Sequence, residues 1–129
     1  MALDADLKDL AQGRNFAAFS TLMPGGQPQT QIMWVGADDE HLIINPTVGR
    51  PKFRNVTVDP RVTVTVFDVE NPYRYVEARG RVIATEPGQS AADSINALAD
   101  KYTGAPYAMG TDDRVILTIE VDRVHKNGF

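Results

Sequence analysis

Apolar positions along the chain change their spacing several times, and each change marks a change of element. Over residues 3–11, Leu3, Leu7, Leu10 and Ala11 recur at helical spacing, with Asp4 and Lys8 four apart as an i,i+4 pair and Gly13 as a stop. So short an amphipathic helix is stable only when docked. The spacing then falls to two. Residues 16–22 and 28–35 flank Met23-Pro24-Gly25-Gly26-Gln27, a strong hairpin signal, and Ala37-Asp38-Asp39-Glu40 makes the next turn before a strand over 41–45. In 61–67, Val62, Val64 and Val66 face one way and Thr63, Thr65 and Phe67 the other. A break at Asn71-Pro72 precedes a long strand over 73–85. The final strand, 114–124, alternates Val115, Leu117, Ile119 and Val121 with Thr118, Glu120 and Asp122. Helical spacing returns at 49–58 and again at 89–102, where Ala91, Ile95, Leu98, Ala99 and Tyr102 share a face and Gly104 lies just beyond.

Six short antiparallel strands with hairpin links and a few covering helices predict a mainly β fold closed into a barrel, because closure removes exposed edges. No linker or repeat divides residues 1–129, so a single domain is expected. A barrel this small has little room inside. A sizeable ligand is expected on its outside or in a groove shared with a second subunit, which makes a homodimer the expected assembly.

Charge narrows the function classes. With 13 Lys and Arg against 17 Asp and Glu, net charge −4, the chain does not read as a nucleic-acid binder. No apolar run nears the ~20 residues needed to cross a bilayer, and Asp4 and Asp6 stand where a signal peptide would carry Lys or Arg. A cytoplasmic protein away from the membrane is expected. There is no cysteine, hence no disulfide or thiolate nucleophile. His41 and His125 have no acidic ligand pair in sequence, so no metal site is expected. Ser20, Ser90 and Ser94 fit no nucleophile elbow.

The chemistry concentrates in Asn45-Pro46-Thr47-Val48-Gly49-Arg50-Pro51-Lys52-Phe53-Arg54-Asn55. Thr47 and Gly49 stand at the start of a short helix with Pro51 in its first turn. Arg50, Lys52 and Arg54 crowd a helix N-terminus whose macrodipole disfavours cations by ~0.3–1 kcal/mol each. A phosphate gripped by backbone N–H groups, the Thr47 hydroxyl and the cations would compensate them. A solvated basic face paired to surface acids is the other reading, and the residues alone leave both open. Trp34 and Met33 could wall a ring, but core packing explains them too. Tyr73 and Tyr75 share a strand face, and Glu77 with Arg79 reads as an ion pair.

Gln29-Thr30-Gln31-Ile32-Met33-Trp34, the 42–55 segment and Asp59-Pro60-Arg61-Val62 resemble the pyridoxamine 5'-phosphate oxidase-like split-barrel superfamily. Asn71-Pro72-Tyr73-Arg74-Tyr75-Val76-Glu77-Ala78-Arg79-Gly80-Arg81-Val82, with Lys101-Tyr102-Thr103-Gly104 and Arg114-Val115, looks like its F-420 (deazaflavin)-dependent oxidoreductase branch, group B. The resemblance covers about residues 5–124 and implies a homodimeric split β-barrel with coenzyme F-420, or alternatively FMN, in the subunit groove. It implies that Thr47, Gly49, Arg50, Lys52 and Asn55 hold the phosphate segment. Thr30, Gln31, Ile32 and Met33 would run along the ring with Asn45 nearby, and Tyr73 and Tyr75 would supply the partner's wall. The implied reaction is hydride transfer from reduced F-420 to a small unsaturated or heterocyclic substrate. No general acid or base stands out, Tyr75 being the one speculative proton donor. An FMN-dependent oxidase or reductase, or a non-catalytic carrier of the cofactor, would look alike in these residues. Three departures from the family pattern stand out: Pro51 and Val58 occupy positions that are commonly basic, and Val121-Asp122 a place where a proline is frequent.

Overall fold

The computed structural model describes residues 2–129. The first helix, α1 (Ala5–Gln12), begins at Asp4, whose Oδ1 accepts the N–H groups of Asp6 and Leu7 at 3.1 Å each. That cap satisfies donors the helix cannot satisfy itself. It also takes Asp4 away from Lys8, so the expected i,i+4 pair does not form. Lys8 pairs instead with Asp39 at 2.6 Å, and Asp4 with Asp6 holds Lys126. Leu3, Leu7, Leu10 and Ala11 are buried, so the docked face is the one the spacing predicts.

The strands are β1 (Phe16–Leu22), β2 (Pro28–Trp34), β3 (Gly36–Ala37), β4 (Leu42–Ile44), β5 (Arg61–Asp68), β6 (Asn71–Pro87) and β7 (Val115–Asn127). They form one seven-stranded sheet in the order β2-β1-β5-β6-β7-β4-β3, every pairing antiparallel. β2 and β3 stand at opposite ends of that order, yet only Val35 separates them in the chain. The sheet therefore curls until its two ends meet at Val35, giving a mainly β, split barrel covered by α1, α2 (Pro51–Val58) and α3 (Gln89–Thr103).

Alternation fills the interior. Ala17 and Phe19 of β1, Val62, Val64 and Val66 of β5, and Val115, Leu117 and Ile119 of β7 are all buried. The alternation does not run on to Val121. A register shift between Arg79 and Gly80 pairs Gly80 with Val121 and Arg79 with Arg123, so Asp122 bulges from the ladder and Val121 is only partly buried. A seventh strand, the two-residue β3, lies where a turn was expected to begin. Asn71-Pro72 is no break but the start of β6, which follows β5 through Val69-Glu70. Of the predicted α3 face, Ala91, Ile95, Leu98 and Ala99 are buried, and Gly104 ends the helix at φ 79° in the left-handed region. No helix among the described residues is long and apolar enough to cross a membrane.

Candidate functional site

Past β4 the chain keeps one more bridge to the β7 side. Pro46 accepts the Val115 N–H at 3.1 Å, Thr47 bridges Arg114, and the Val48 N–H donates to the Asp113 carbonyl at 2.8 Å. The segment then turns, Arg50 N–H to Thr47 O at 3.2 Å, and α2 begins at Pro51. Thr47 and Gly49 were expected to start this helix. Arg50 caps it instead, in extended geometry (φ −85°, ψ 146°), because a residue before proline is driven out of the helical region. No side chain caps α2 and its first turn carries no acid. Its N-terminus thus keeps unanswered donors and three cations, Arg50, Lys52 and Arg54.

Two adjoining cavities open here. One of about 340 Å³ is lined by Phe16, Ile32, Met33, Trp34, Asn45, Lys52, Ile95, Leu98, Tyr107 and Arg114. That volume lies in the range of small-molecule sites. The other, about 600 Å³, is lined by Thr47, Gly49, Arg50, Tyr107, Met109, Gly110, Asp113 and Arg114. Tyr107 and Arg114 form the wall between them. The Arg114 guanidinium lies 4.6 Å from the Tyr107 ring centroid, its Nη2 donates to the Tyr107 hydroxyl, and its Nη1 donates to the Asn45 carbonyl at 2.9 Å.

The electrostatics of the two cavities suit an anion. Among the described residues, Arg50, Lys52 and Arg114 form no ion pair with a carboxylate, although most other basic side chains near acids do. Burial, followed by the positive charges of Arg50 and Arg114, pushes the Lys52 amine below its usual pKa. Asp113 is the one acid lining either cavity. Two residues that line the first cavity each keep a buried polar atom without a partner, Asn45 Oδ1 and Arg114 Nε. Unpaired cations beside an aromatic-walled cavity suit a planar phosphorylated ligand such as a flavin or deazaflavin.

The structure brings Ile32, Met33, Asn45 and Lys52 together in the first cavity and Thr47, Gly49 and Arg50 in the second. It does not bring the other sequence candidates there. Thr30 and Gln31 lie exposed on β2, Thr30 Oγ1 2.7 Å from Ser20 Oγ. Asn55 is buried on the inner side of α2, its Nδ2 donating to Thr21 Oγ1 and Gln29 Oε1 at 2.9 Å each. Tyr73 and Tyr75 stand on β6 outside both cavities, Tyr73 79% exposed. Trp34 serves both packing and the cavity: it stacks on Tyr102 at 5.1 Å and meets the Tyr107 edge at 6.2 Å. Sequence reasoning missed Tyr107 and Arg114 as cavity residues. Arg114 contacts Asn45 across 69 positions, and only its place beside the bridge at Thr47 links it to the 45–55 segment.

The pyridoxamine 5'-phosphate oxidase family model matches residues 3–128. The chain belongs to that family. Among solved structures, one titled F420 Reductase matches with 31% identity and a TM-score of 0.84, covering 97% of this chain and 100% of that one. The conserved hypothetical protein Rv2991 of Mycobacterium tuberculosis has 22% identity and a TM-score of 0.78, with 98% and 85% covered. General Stress Protein 26 of Bacillus anthracis has 17% identity and a TM-score of 0.72, with 95% and 91% covered; these last two matches show the fold alone. No curated protein matches the chain. The family and the first of these structures support an oxidoreductase or flavin-binding fold.

Proposed function

We propose that the protein is an oxidoreductase that binds coenzyme F-420 and transfers hydride from its reduced form to a small unsaturated or heterocyclic substrate. The observation that carries this reading is the uncompensated cation group Arg50, Lys52 and Arg114 flanking an aromatic-walled cavity. The likeness to an F420 reductase favours the deazaflavin over FMN. When bound, such a cofactor supplies the ring position that carries hydride.

The protein's own residues do the rest. Thr47, Gly49, Arg50 and Lys52 hold the phosphate through charge-assisted contacts. Ile32 and Met33 of β2 support the ring, and Phe16, Trp34 and Tyr107 keep water from it. Ile32 is 61% exposed on an edge strand, and Tyr73 is also exposed. A second copy covering this side would shield the ring and bring Tyr73 and Tyr75 to its far wall, completing the groove as a homodimer. No side chain in this chain is assigned as proton donor.

An FMN-dependent oxidase or reductase is the second reading, because the same cations suit either phosphate. Titration with F-420 and, separately, FMN, followed by polarisation of each cofactor's fluorescence, decides between them. Tight F-420 binding with feeble FMN binding is expected. The reverse preference would replace the first reading by the second, and failure of both would leave the cation group a solvated face. F-420 binding without turnover of any enone-type substrate would make the protein a carrier.

A further inference from the structure

The chain has four lysines, Lys8, Lys52, Lys101 and Lys126. Two are tied to acids: Lys8 lies 2.6 Å from Asp39, and Lys126 lies 2.8 Å from both Asp4 and Asp6. Lys52 belongs to the cation group already described. Lys101 differs from all three. Among the described residues it forms no ion pair, and two backbone carbonyls hold its amine, Ala11 O at 2.8 Å and Val35 O at 2.6 Å. The Tyr102 ring centroid lies 4.6 Å from the same nitrogen.

Those carbonyls fix where the amine sits. They belong to the Ala11–Gln12 and Val35–Gly36 peptide groups, and Gln12 and Gly36 both line a cavity of about 280 Å³. Lys101 lines that cavity too, with Ala37, Ala97 and Leu98 among its walls, so the amine stands at its margin. No other charged side chain lines it. Arg14, whose Nη2 donates to the Tyr102 carbonyl at 3.1 Å, is the other cation at this end of α3.

Two acceptors are what a neutral amine needs. An uncharged amine fills both carbonyls with its two N–H groups and keeps a lone pair. An ammonium brings a third N–H, for which the described residues offer only the face of the Tyr102 ring. Burial without a counter-charge disfavours the ammonium and brings its pKa down to about 8. About a quarter of the amine is then uncharged at pH 7.5, against roughly one part in a thousand for an ordinary lysine. A desolvated lysine of this kind is a nucleophile.

We propose that Lys101 is an acylation site, its amine taking a small uncharged acyl group from an acyl phosphate and placing it in the cavity beside the barrel's seam. The amine lone pair forms a C–N bond to the acyl carbon. The C–O bond to phosphate breaks, its electron pair leaves with the phosphate, and the spare amine proton passes to that phosphate. Nothing is oxidised or reduced. The product amide has one N–H for two carbonyls, so acylation removes a buried charge and costs the seam one hydrogen bond. A charged acyl group would find no partner among the cavity's walls, and a small donor suits so small a space.

Acetyl phosphate tests this on the purified full chain at pH 7.5, with the rate at each lysine followed by peptide mass spectrometry. Lys101 is expected to be acetylated at least about ten-fold faster than Lys8 and Lys126. Lys52 stays out of that comparison because Arg50 and Arg114 beside it attract the phosphate. A lysine that only pins the seam would be the slowest of the three, so a rate at Lys101 equal to or below those of Lys8 and Lys126 overturns the proposal. A second measurement tests the cavity. Ala97 is exposed on α3 and lines it, so Ala97→Leu narrows the space without touching the core. Acetylation of Lys101 should slow several-fold in that variant while the rates at Lys8 and Lys126 hold. An unchanged rate at Lys101 overturns the placement of the acyl group in the cavity.

Discussion

The Lys101 ammonium donates to the carbonyl of Val35 at 2.6 Å. Val35 is the lone residue between β2 and β3, where the sheet's two ends meet, and there its backbone has left the ladder. The barrel's seam is closed by side chains of α3 instead. Lys101 also reaches the Ala11 carbonyl at 2.8 Å, and the Tyr102 hydroxyl accepts the Val35 N–H at 3.1 Å and donates to Asn15. A pair of residues thus pins the seam, the end of α1 and the start of β1 together, which is the side on which Trp34 meets the cavity.

Lys101 achieves this without a carboxylate, and burial pushes its amine down to about 8 from the usual 10.5. Between those values the unfolded chain binds more protons than the folded one, so this group makes stability rise with pH, its unfavourable charge being present in full below 8. Relative to Lys101→Met, the unaltered protein should gain thermal stability from pH 7 to pH 9.5. Parallel melting curves for the two across that window would show that Lys101 is not desolvated as described. At any pH the variant should be less stable by about 1–3 kcal/mol, because carbonyls at the seam lose their donor.

Lys52 should show opposite signs in stability and binding. Its amine is held below its usual pKa by burial and by Arg50 and Arg114, so in the free protein the charge is a burden. Lys52→Met should therefore leave the free protein as stable or more stable, while weakening binding of the phosphorylated cofactor by about 1–3 kcal/mol. Melting temperature and cofactor titration on one preparation check both. Affinity of the unaltered protein should fall at high pH, beginning below the range of an ordinary lysine, and the variant should lack that fall. An unchanged dissociation constant would remove Lys52 from the phosphate site.

How far the sequence spoke differs between fold and site for a physical reason. Val62, Val64 and Val66, or Ala91, Ile95, Leu98 and Ala99, announce their faces because burial repeats along one element. The sequence places the β5–β6 turn two residues late, at Asn71-Pro72, because the true turn, Val69-Glu70, has no glycine or proline. It is held by side chains, Asp68 Oδ1 accepting the Glu70 N–H at 2.9 Å and Asn71 Oδ1 the Tyr73 N–H at 3.3 Å. The cations at 50–54 were legible as a local conflict with a helix dipole. Arg114 was not, since its role arises only when β7 comes beside the Thr47 bridge.

Asn55 belongs to the same stretch of sequence as Lys52, yet its amide points to β1 and β2. Asn55→Ala should cost about 1–3 kcal/mol of stability by leaving Thr21 and Gln29 without their donor. Cofactor affinity, measured where the variant is folded, should change far less than in Lys52→Met. A loss of affinity as large as that of Lys52→Met, with no loss of stability, would place Asn55 at the ligand after all.

Two glycines separate the barrel's needs from the ligand's. A Cβ on Gly80 would lie 1.9 Å from the Glu120 carbonyl oxygen and 2.9 Å from its carbon, both backbone atoms of the neighbouring strand. The bulge at Asp122 brings β7 that close, and Arg81 fixes the bulged side chain at 2.6 Å. Nothing there can yield except the ladder itself, so Gly80→Ala should cost about 2–4 kcal/mol, read as a lowered melting temperature. Gly49 lines the second cavity, and a Cβ on it meets no protein atom within 4 Å. Gly49→Ala should hold stability within about 0.5 kcal/mol. Any loss of cofactor affinity in that variant must then come from the methyl meeting the ligand. A Gly49→Ala protein with unaltered stability and unaltered affinity would show that the phosphate does not approach the chain at Gly49.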